Sequence, residues 1–559
     1  MDDDSCYVEE VTFNNGCSLK VGQGDIVVFV GPNNAGKSQA IKDIYALVET
    51  DKAAGVVVKS VKYHVGDFEK ILARIAANSK AVLSGGQRLY LGLGYSLYDY
   101  TINPNYHKSG LGDLRSVFFD FIGTVERLQE CVSREQKGYD ESAKYPLQKI
   151  PEDVAFARRL TETFHDAFGM DLEISGAFSN SLTLRCAETF PKIEGDDTHA
   201  MLEHAQKMAK LPAIEVQGDG MRGFVGVMLK VLGGQYSTYM MDEPESFLHP
   251  PQARIMGQAL GDLLSANQQA FISTHSEALI KGLLLTCPNR LKIVRIERDG
   301  KINKTSVLES KAFQEVWGDP LLVHSNIMEG LFNKIVVVCE SDSDCMFYAM
   351  IERELKRLQS RHSEALYVHC GGKQRLKTVV QALIALGIDY RVVCDIDIIN
   401  DRKPDLKDLT SVCGVRWDDS LSAAYNKLTS SFSNDTGLKV VNVRREVAEI
   451  LDNCANPVLS SGDVDALAKI LKKGSRIGNI KYAGKSAIAR GDAMAGYEYL
   501  DKRLREKNIF MVPVGELEGF VPDAGGHAGM WLANVLEQHP DLTDEAYSQA
   551  KEFVASWKI

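Results

Sequence analysis

Asp25-Ile-Val-Val-Phe-Val-Gly-Pro-Asn-Asn-Ala-Gly-Lys-Ser38 decides the reading of this chain. The apolar run Ile26 to Val30 has the length and composition of a buried strand. It ends in Gly31-Pro-Asn-Asn-Ala-Gly-Lys-Ser38, which fits G-x-x-x-x-G-K-[ST]. In that pattern glycines let successive backbone N–H groups turn toward phosphate oxygens, the lysine reaches the β/γ-phosphates, and the hydroxyl ligates Mg2+. Gly31, Asn33, Asn34, Ala35, Gly36, Lys37, Ser38 and Gln39 are the expected nucleotide contacts. ATP and Mg2+ are the expected cofactors, with Ser38 as a metal ligand. Ala40 to Ile44 has helical spacing directly after the loop, the context the motif requires.

The 559 residues suffice for several domains. Lys+Arg 64 against Asp+Glu 75 gives a net charge of −11, so a nucleic-acid partner must meet a local basic face rather than the overall field. No stretch approaches the about 20 apolar residues of a membrane span. Met-Asp-Asp-Asp-Ser-Cys at the start has no basic or apolar character, so a cytoplasmic chain without a secretory signal or membrane partner is expected. Its 11 cysteines are odd in number and form no C-x-x-C pair, which argues for reduced thiols rather than disulfides or a zinc site.

Two α/β patterns follow one another. Residues 1–330 read as a first domain, with an exposed loop over 131–150 and a mostly helical insertion over 151–210 that is a candidate dimerisation element. Within that insertion only Ser181 to Arg185 looks β-like. Ala81 to Leu91 reads as a hairpin with a Gly-Gly turn. Strand and helix alternate again from Leu211 to Glu297, then a strand pair and a connecting helical segment lead to about residue 330. Residues 331–559 read as a second domain. Its strands are expected at Ile335–Cys339, Leu366–His369, Tyr390–Cys394 and Asn508–Pro513, with a helical insertion over 411–504.

Tyr239-Met-Met-Asp-Glu-Pro-Glu245 is an apolar strand ending in paired acids. Beside a phosphate loop, Asp242 is placed to hold Mg2+ and Glu243 to polarise the attacking water. Ala270-Phe-Ile-Ser-Thr-His-Ser276 ends a further strand at His275, in position to sense a γ-phosphate. The set G-P-N-N-A-G-K-S, D-E-P-E-S-F-L-H-P and S-T-H-S resembles the ATP-binding-cassette ATPases of the SMC/RecF/OLD type. That resemblance implies two heads sandwiching ATP between one phosphate loop and the partner's signature motif. Leu83-Ser-Gly-Gly-Gln87 lies too far upstream to be that motif. Gln217-Gly-Asp-Gly-Met-Arg222 is correctly placed, so Gly218 and Gly220 are the expected contacts to a partner's nucleotide, although the segment departs from L-S-G-G-Q. Arg127 is read as a structural ion pair, with a phosphate contact as the alternative.

Acids recur where strands of the second pattern end: Glu340 with Asp342 and Asp344, Asp395 with Asp397, and Glu516 with Glu518. Parallel strands bring such ends to one carboxyl edge. Packed carboxylates need a cation, and hard oxygens suit Mg2+ or Mn2+, commonly two ions for phosphodiester attack. Asp342 is read as a solvated loop acid. The pattern resembles the TOPRIM domain of topoisomerases, primases and OLD-family nucleases, with Ser341 in place of the usual glycine. The resemblance implies Glu340 as general acid/base or metal ligand and Asp344, Asp395 and Asp397 as metal ligands. Glu516 or Glu518 completes the set. Lys551 stands for the late catalytic lysine of OLD nucleases.

The order of motifs resembles the OLD family across the chain. The implied fold is α/β, an ABC/SMC-like ATPase head followed by a Rossmann-like TOPRIM domain with a helical insertion. The implied function is an ATP-regulated, metal-dependent DNA endonuclease in antiphage defence. Implied partners are phage or plasmid DNA, a second copy through the heads, and a helicase or a retron reverse transcriptase with its RNA–DNA. Lys472, Lys473, Arg476, Lys481 and Lys485 lie in an acid-free stretch with three glycines, read either as a flexible DNA-tracking loop or as a solvated helix face. The rival functions are an ATP-sensing scaffold and a DNA-repair ATPase whose TOPRIM domain binds without cutting. Topoisomerase activity is set aside because no tyrosine-nucleophile domain is recognisable.

Overall fold

The computed structural model describes residues 3–102, 109–138, 141–300, 302–308, 326–400, 402–432, 440–454, 457–460, 463–464, 466–467, 470 and 477–559. Its contacts divide the chain into two units, Met1–Gln314 and Glu315–Ile559.

The first unit is built on strands β1 (Ile26–Val30), β2 (Phe119–Ile122), β3 (Thr238–Asp242), β4 (Gln269–Ser273), β5 (Leu291–Asp299) and β6 (Ile302–Leu308). Their spatial order is β6-β5-β1-β4-β3-β2, with β6 antiparallel to β5 and the others parallel. Every residue of β1 and β4 is buried. That is why these strands read as continuous apolar runs rather than alternating ones. Helix α1 (Lys37–Glu49) leaves the phosphate loop and α2 (Asp219–Gly233) precedes β3. A three-stranded antiparallel sheet (Cys6–Phe13, Ser18–Lys20, Val58–Val65) shares its core with this sheet, with the Phe13 ring edge-on to Phe29 at 6.3 Å.

Two local expectations need correction. Residues 151–210 are not mostly helical. Strands Asp171–Ser175 and Ser181–Ala187 pair with each other and with Arg134–Glu135, between helices Val154–Phe168 and Thr198–Ala209. The first strand, D-L-E-I-S, is half polar and hid its pairing. Nor is 131–150 simply an exposed loop, because Pro146, Leu147 and Gln148 are buried and Gln148 Nε2 donates to the Glu135 carbonyl at 2.9 Å. The hairpin expected over Ala81 to Leu91 is present, Ser79–Ser84 pairing with Gln87–Gly92, and Leu83-Ser-Gly-Gly-Gln87 lies at its turn with Leu83 exposed, so it opens no helix.

The second unit carries β7 (Ile335–Cys339), β8 (Ala365–His369), β9 (Asp389–Cys394) and β10 (Ile509–Met511) in the order β8-β7-β9-β10, all parallel. Helix α3 (Asp342–Leu358) follows β7. Between β9 and β10 the described chain is helical, at Asp405–Val412, Asp419–Ser430, Val440–Asp452, α4 (Gly478–Ala483) and Asp492–Arg505. The connecting helical segment expected before residue 330 lies largely outside the described residues. Only the 3-10 turn Asn326–Phe332 is seen. An aromatic core joins α3 to the last helix, α5 (Ser548–Ala555): Phe347 meets Trp531 at 5.2 Å and Tyr348 meets Trp557 at 5.3 Å. No helix among the described residues is long and apolar enough to cross a membrane.

Close packing of α2 supplies a stability test. A Cβ at Gly226 would lie 1.8 Å from the Arg127 carbonyl oxygen, whereas one at Gly218 meets nothing within 4 Å. Alanine normally favours a helix interior over glycine by about 1 kcal/mol. Here the clash should reverse the sign, so Gly226→Ala should cost about 1–3 kcal/mol. Thermal unfolding followed by circular dichroism should show the loss, with Gly218→Ala unchanged.

Candidate functional site

The phosphate loop is shaped by contacts its sequence dictates. A Cβ at Gly31 would sit 2.0 Å from the Ile296 carbonyl oxygen, so the loop starts pressed against β5. Asn303 Nδ2 donates to the Ala35 carbonyl at 2.5 Å. Asn33, Asn34 and Gln39 are exposed along the loop and helix start, and Ser38 is half-buried. Lys37 is buried, and its Nζ donates to the Gly31 and Pro32 carbonyls at 2.8 and 3.0 Å. Burial pulls the ammonium pKa down, while Glu243, Glu245 and Asp242 oppose that shift.

Those three acids come from the end of β3 and the turn after it. Asp242 Oδ1 accepts from Ser273 Oγ at 2.6 Å. Glu243 has a φ of +47°, in the left-handed region that a non-glycine residue rarely adopts. Bonds from its N–H to Ser273 O and Oγ, both 3.1 Å, hold it there. Its carboxylate lies 3.4 Å from His275 Nδ1. That bond holds the Glu243 carboxyl low and raises the imidazole pKa. Sequence reasoning missed Glu245. It is buried, its Oε1 accepts from Thr274 Oγ1 at 2.5 Å and from the His275 N–H at 3.3 Å, and burial raises its pKa. The second glutamate of D-E-P-E was the available signal. Arg127 corrects its expectation: it is fully buried and donates to the Asp242 carbonyl at 3.0 Å and the Thr124 hydroxyl at 3.2 Å. Gly218 caps α2 and Gly220 lies in its first turn, so the candidate signature does open a helix.

In the second unit four strand ends converge. Glu340 follows β7 directly, and its Oε1 accepts from the Asp395 N–H at 3.0 Å. Asp395 follows β9 and opens the 3-10 turn Ile396–Ile399, which contains Asp397. After β8 comes the turn Gly371-Gly372, where the Gly372 N–H donates to the Glu340 carbonyl at 3.0 Å. That turn delivers Lys373, whose Nζ lies 2.7 Å from Asp397 Oδ2. Beyond β10, the Gly515 carbonyl accepts from Ile396 N–H at 3.0 Å, which sets Glu516 beside the group.

Glu340, Asp395 and Asp397 each offer an oxygen, and the three atoms lie within 4.8 Å of one another. Burial, then the neighbouring acids, pushes the Glu340 carboxyl up to about 7 and the Asp395 carboxyl well above its ordinary value. Asp397 Oδ1 is buried without a hydrogen-bond partner. Three hard oxygens, mutual repulsion and an unpartnered inward atom fit a Mg2+ or Mn2+ ion.

The remaining predicted ligands each have a partner of their own. Asp344 caps its own helix, accepting from Ser341 N–H and Oγ at 2.8 and 2.9 Å. Ser341 adopts ordinary extended backbone, so its replacement of glycine does not displace the turn. Glu516 Oε2 lies 3.4 Å from Lys481 Nζ. Glu518 accepts from the Ala528 N–H at 2.8 Å and pairs with His527. Lys551 sits on α5, where its charge helps hold Glu354 low. Among the described residues, the lysines paired with the cluster are Lys373 and Lys481. Lys485 is exposed, while Lys472, Lys473 and Arg476 lie outside the described residues.

An acidic triad at the carboxyl edge of a four-stranded parallel sheet is the arrangement of a TOPRIM-type domain. Residues 331–397 match the family model of the overcoming lysogenization defect protein-like (OLD-like) TOPRIM domain. The chain is 23% identical over 262 residues to the Old nuclease of Escherichia phage P2, covering 42% of this chain and 43% of that relative, less than half its length. Among solved structures, it is similar to the SMC head bound to the C-winged helix domain of ScpA (12% identity, 54% of this chain, 98% of that one, TM-score 0.34). It is also similar to the SMC head domain from Thermotoga maritima (13% identity, 54% and 99%, TM-score 0.27). The second unit thus carries an OLD-like TOPRIM match, and the first is an α/β unit whose central sheet bears the phosphate-loop sequence.

Occupation of the triad should stabilise the protein. A ligand at a hundredfold excess over its Kd contributes about 2.7 kcal/mol to the state that binds it. Adding Mn2+ to the nucleotide-free chain should therefore raise the unfolding temperature of wild type by several degrees and leave Asp395→Ala nearly unmoved, as read by differential scanning fluorimetry.

Proposed function

We propose that this chain is an ATP-regulated, divalent-metal-dependent DNA endonuclease, in which the second unit cuts and the ATPase head sets when it cuts. The observation that carries this reading is the convergence of Glu340, Asp395 and Asp397 on one point of the TOPRIM edge, with Asp397 Oδ1 unpartnered. A cation held by these three would supply Lewis acidity at a phosphodiester. Glu340, which bonds the Asp395 N–H, is the alternative general acid/base for the attacking water or the leaving oxygen where it does not itself hold the cation. Lys373 fixes the orientation of Asp397 and adds positive charge for a backbone phosphate.

In the head, Lys37 and the loop amides would hold the phosphates of ATP, with Ser38 and Asp242 directed to its Mg2+. Glu243 would orient water, restrained by His275. A second copy is the proposed partner through the heads, with Gly218 and Gly220 at the opening of α2 facing its nucleotide. The proposed setting is defence against phage DNA, as the OLD resemblance implies.

Cleavage of supercoiled plasmid by the purified chain with Mg2+ or Mn2+ tests the reading. Asp395→Ala should reduce nicking at least a hundredfold, while Lys37→Ala should retain the nuclease but lose its response to ATP. Cutting that survives in Asp395→Ala would remove the triad as the nuclease centre.

A further inference from the structure

The second cation of a two-ion phosphodiesterase sits about 4 Å from the first and shares a bridging carboxylate with it. Asp397 is the acid of this cluster that reaches toward the remaining acids. Its partner for a second ion would be Glu516. Between them stands an ammonium: Lys481 Nζ is 4.0 Å from Asp397 Oδ2 and 3.4 Å from Glu516 Oε2. The other candidate ligands already have donors, Asp344 from Ser341 and Glu518 from Ala528 and His527.

Lys481 is anchored by its backbone. It lies on α4, which packs against the segment after β10 by direct main-chain contact. A Cβ at Gly515 would lie 2.0 Å from the Lys481 carbonyl oxygen, and one at Gly484 would lie 2.2 Å from the Pro513 carbonyl oxygen. Both glycines have positive φ, +108° and +62°, and the Lys485 N–H donates to the Pro513 carbonyl at 2.9 Å. These glycines are closely packed contact points rather than hinges of a flexible loop, and they aim Lys481 at the acids.

We propose that the cluster binds one divalent cation, on Glu340, Asp395 and Asp397, and that the Lys481 ammonium takes the position of the second cation between Asp397 and Glu516. The proposal rests on the metal-dependent reading above and sets its stoichiometry. A divalent ion in the same place would have to displace this tethered charge.

Mn2+ binding to the full-length, nucleotide-free protein tests this by calorimetry and by electron paramagnetic resonance, without reference to cleavage. Sites are assigned to the cluster by their loss in Asp395→Ala. Wild type should bind one Mn2+ there and show the spectrum of an isolated ion. Glu516→Gln should still bind one, with affinity within about threefold. Lys481→Met should gain a second site and a spin-coupled Mn2+ pair. Two coupled ions in wild type, loss of a site in Glu516→Gln, or a single site in Lys481→Met would each overturn the proposal. No Mn2+ lost on going to Asp395→Ala would instead sink the metal-centre reading on which it rests. Circular dichroism melts of each variant separate a lost site from a lost fold.

Discussion

Like charge held at close range is the constraint on which the second unit depends. Two unit charges 4.8 Å apart interact by about 3 kcal/mol at an effective dielectric of 20. Three carboxylates so placed store about 10 kcal/mol if all are ionised, comparable with the whole stability of a domain. Such a group persists only with compensating charge. Lys373 and Lys481 provide part of it, and a bound proton or metal ion would provide the rest. The topology forces the crowding, because parallel strands in the order β8-β7-β9-β10 send their following loops to one edge.

The first unit meets a related constraint with different chemistry. Lys37, Asp242, Glu243, Glu245 and Arg127 sense one another's charge at the end of β3. Arg127 is withdrawn from ligand chemistry, since its guanidinium is buried and bonded to the Asp242 carbonyl, where it fixes the strand end. Glu245 supports the neighbouring strand end, joining Thr274 to the His275 amide. Asp242, Glu243 and His275 are therefore held from behind by residues that need not touch nucleotide. The left-handed φ of Glu243 is the local cost of aiming its side chain.

What could be read from the sequence follows how local each signal was. β1, the phosphate loop and D-E-P-E are contiguous words whose meaning lies in one turn of backbone. Glu340, Asp395 and Asp397 were legible because each lies within three residues after an apolar strand, and in a parallel sheet that position fixes the edge. Lys481 could not be assigned this way. It lies 84 residues after Asp397 and 35 before Glu516 by number (481 − 397 and 516 − 481), and its approach depends on how the helical insertion folds back. The same stretch invited a flexible reading because it is rich in glycine. At Gly484 those properties instead permit backbone contact. Strand Asp171–Ser175 was missed for the opposite reason, since its one fully buried residue, Leu172, leaves too weak an alternation to detect.

Exchanging an ion for an ammonium changes what the site can do. A lysine tethered by α4 is present at any metal concentration and carries no inner shell of water to be stripped. It offers one positive charge where Mg2+ offers two, and hydrogen-bond donors where Mg2+ offers coordination. Such a site keeps its ground state organised without the second ion, but stabilises a developing phosphorane-like charge less strongly. For an enzyme selected for turnover that is a loss. For one that must stay quiet until its nucleotide state or substrate calls on it, a slower centre lowers the damage done by occasional cutting. Placing the second charge on an insertion helix, rather than on the sheet, makes its position depend on the close backbone contacts at Gly484 and Gly515.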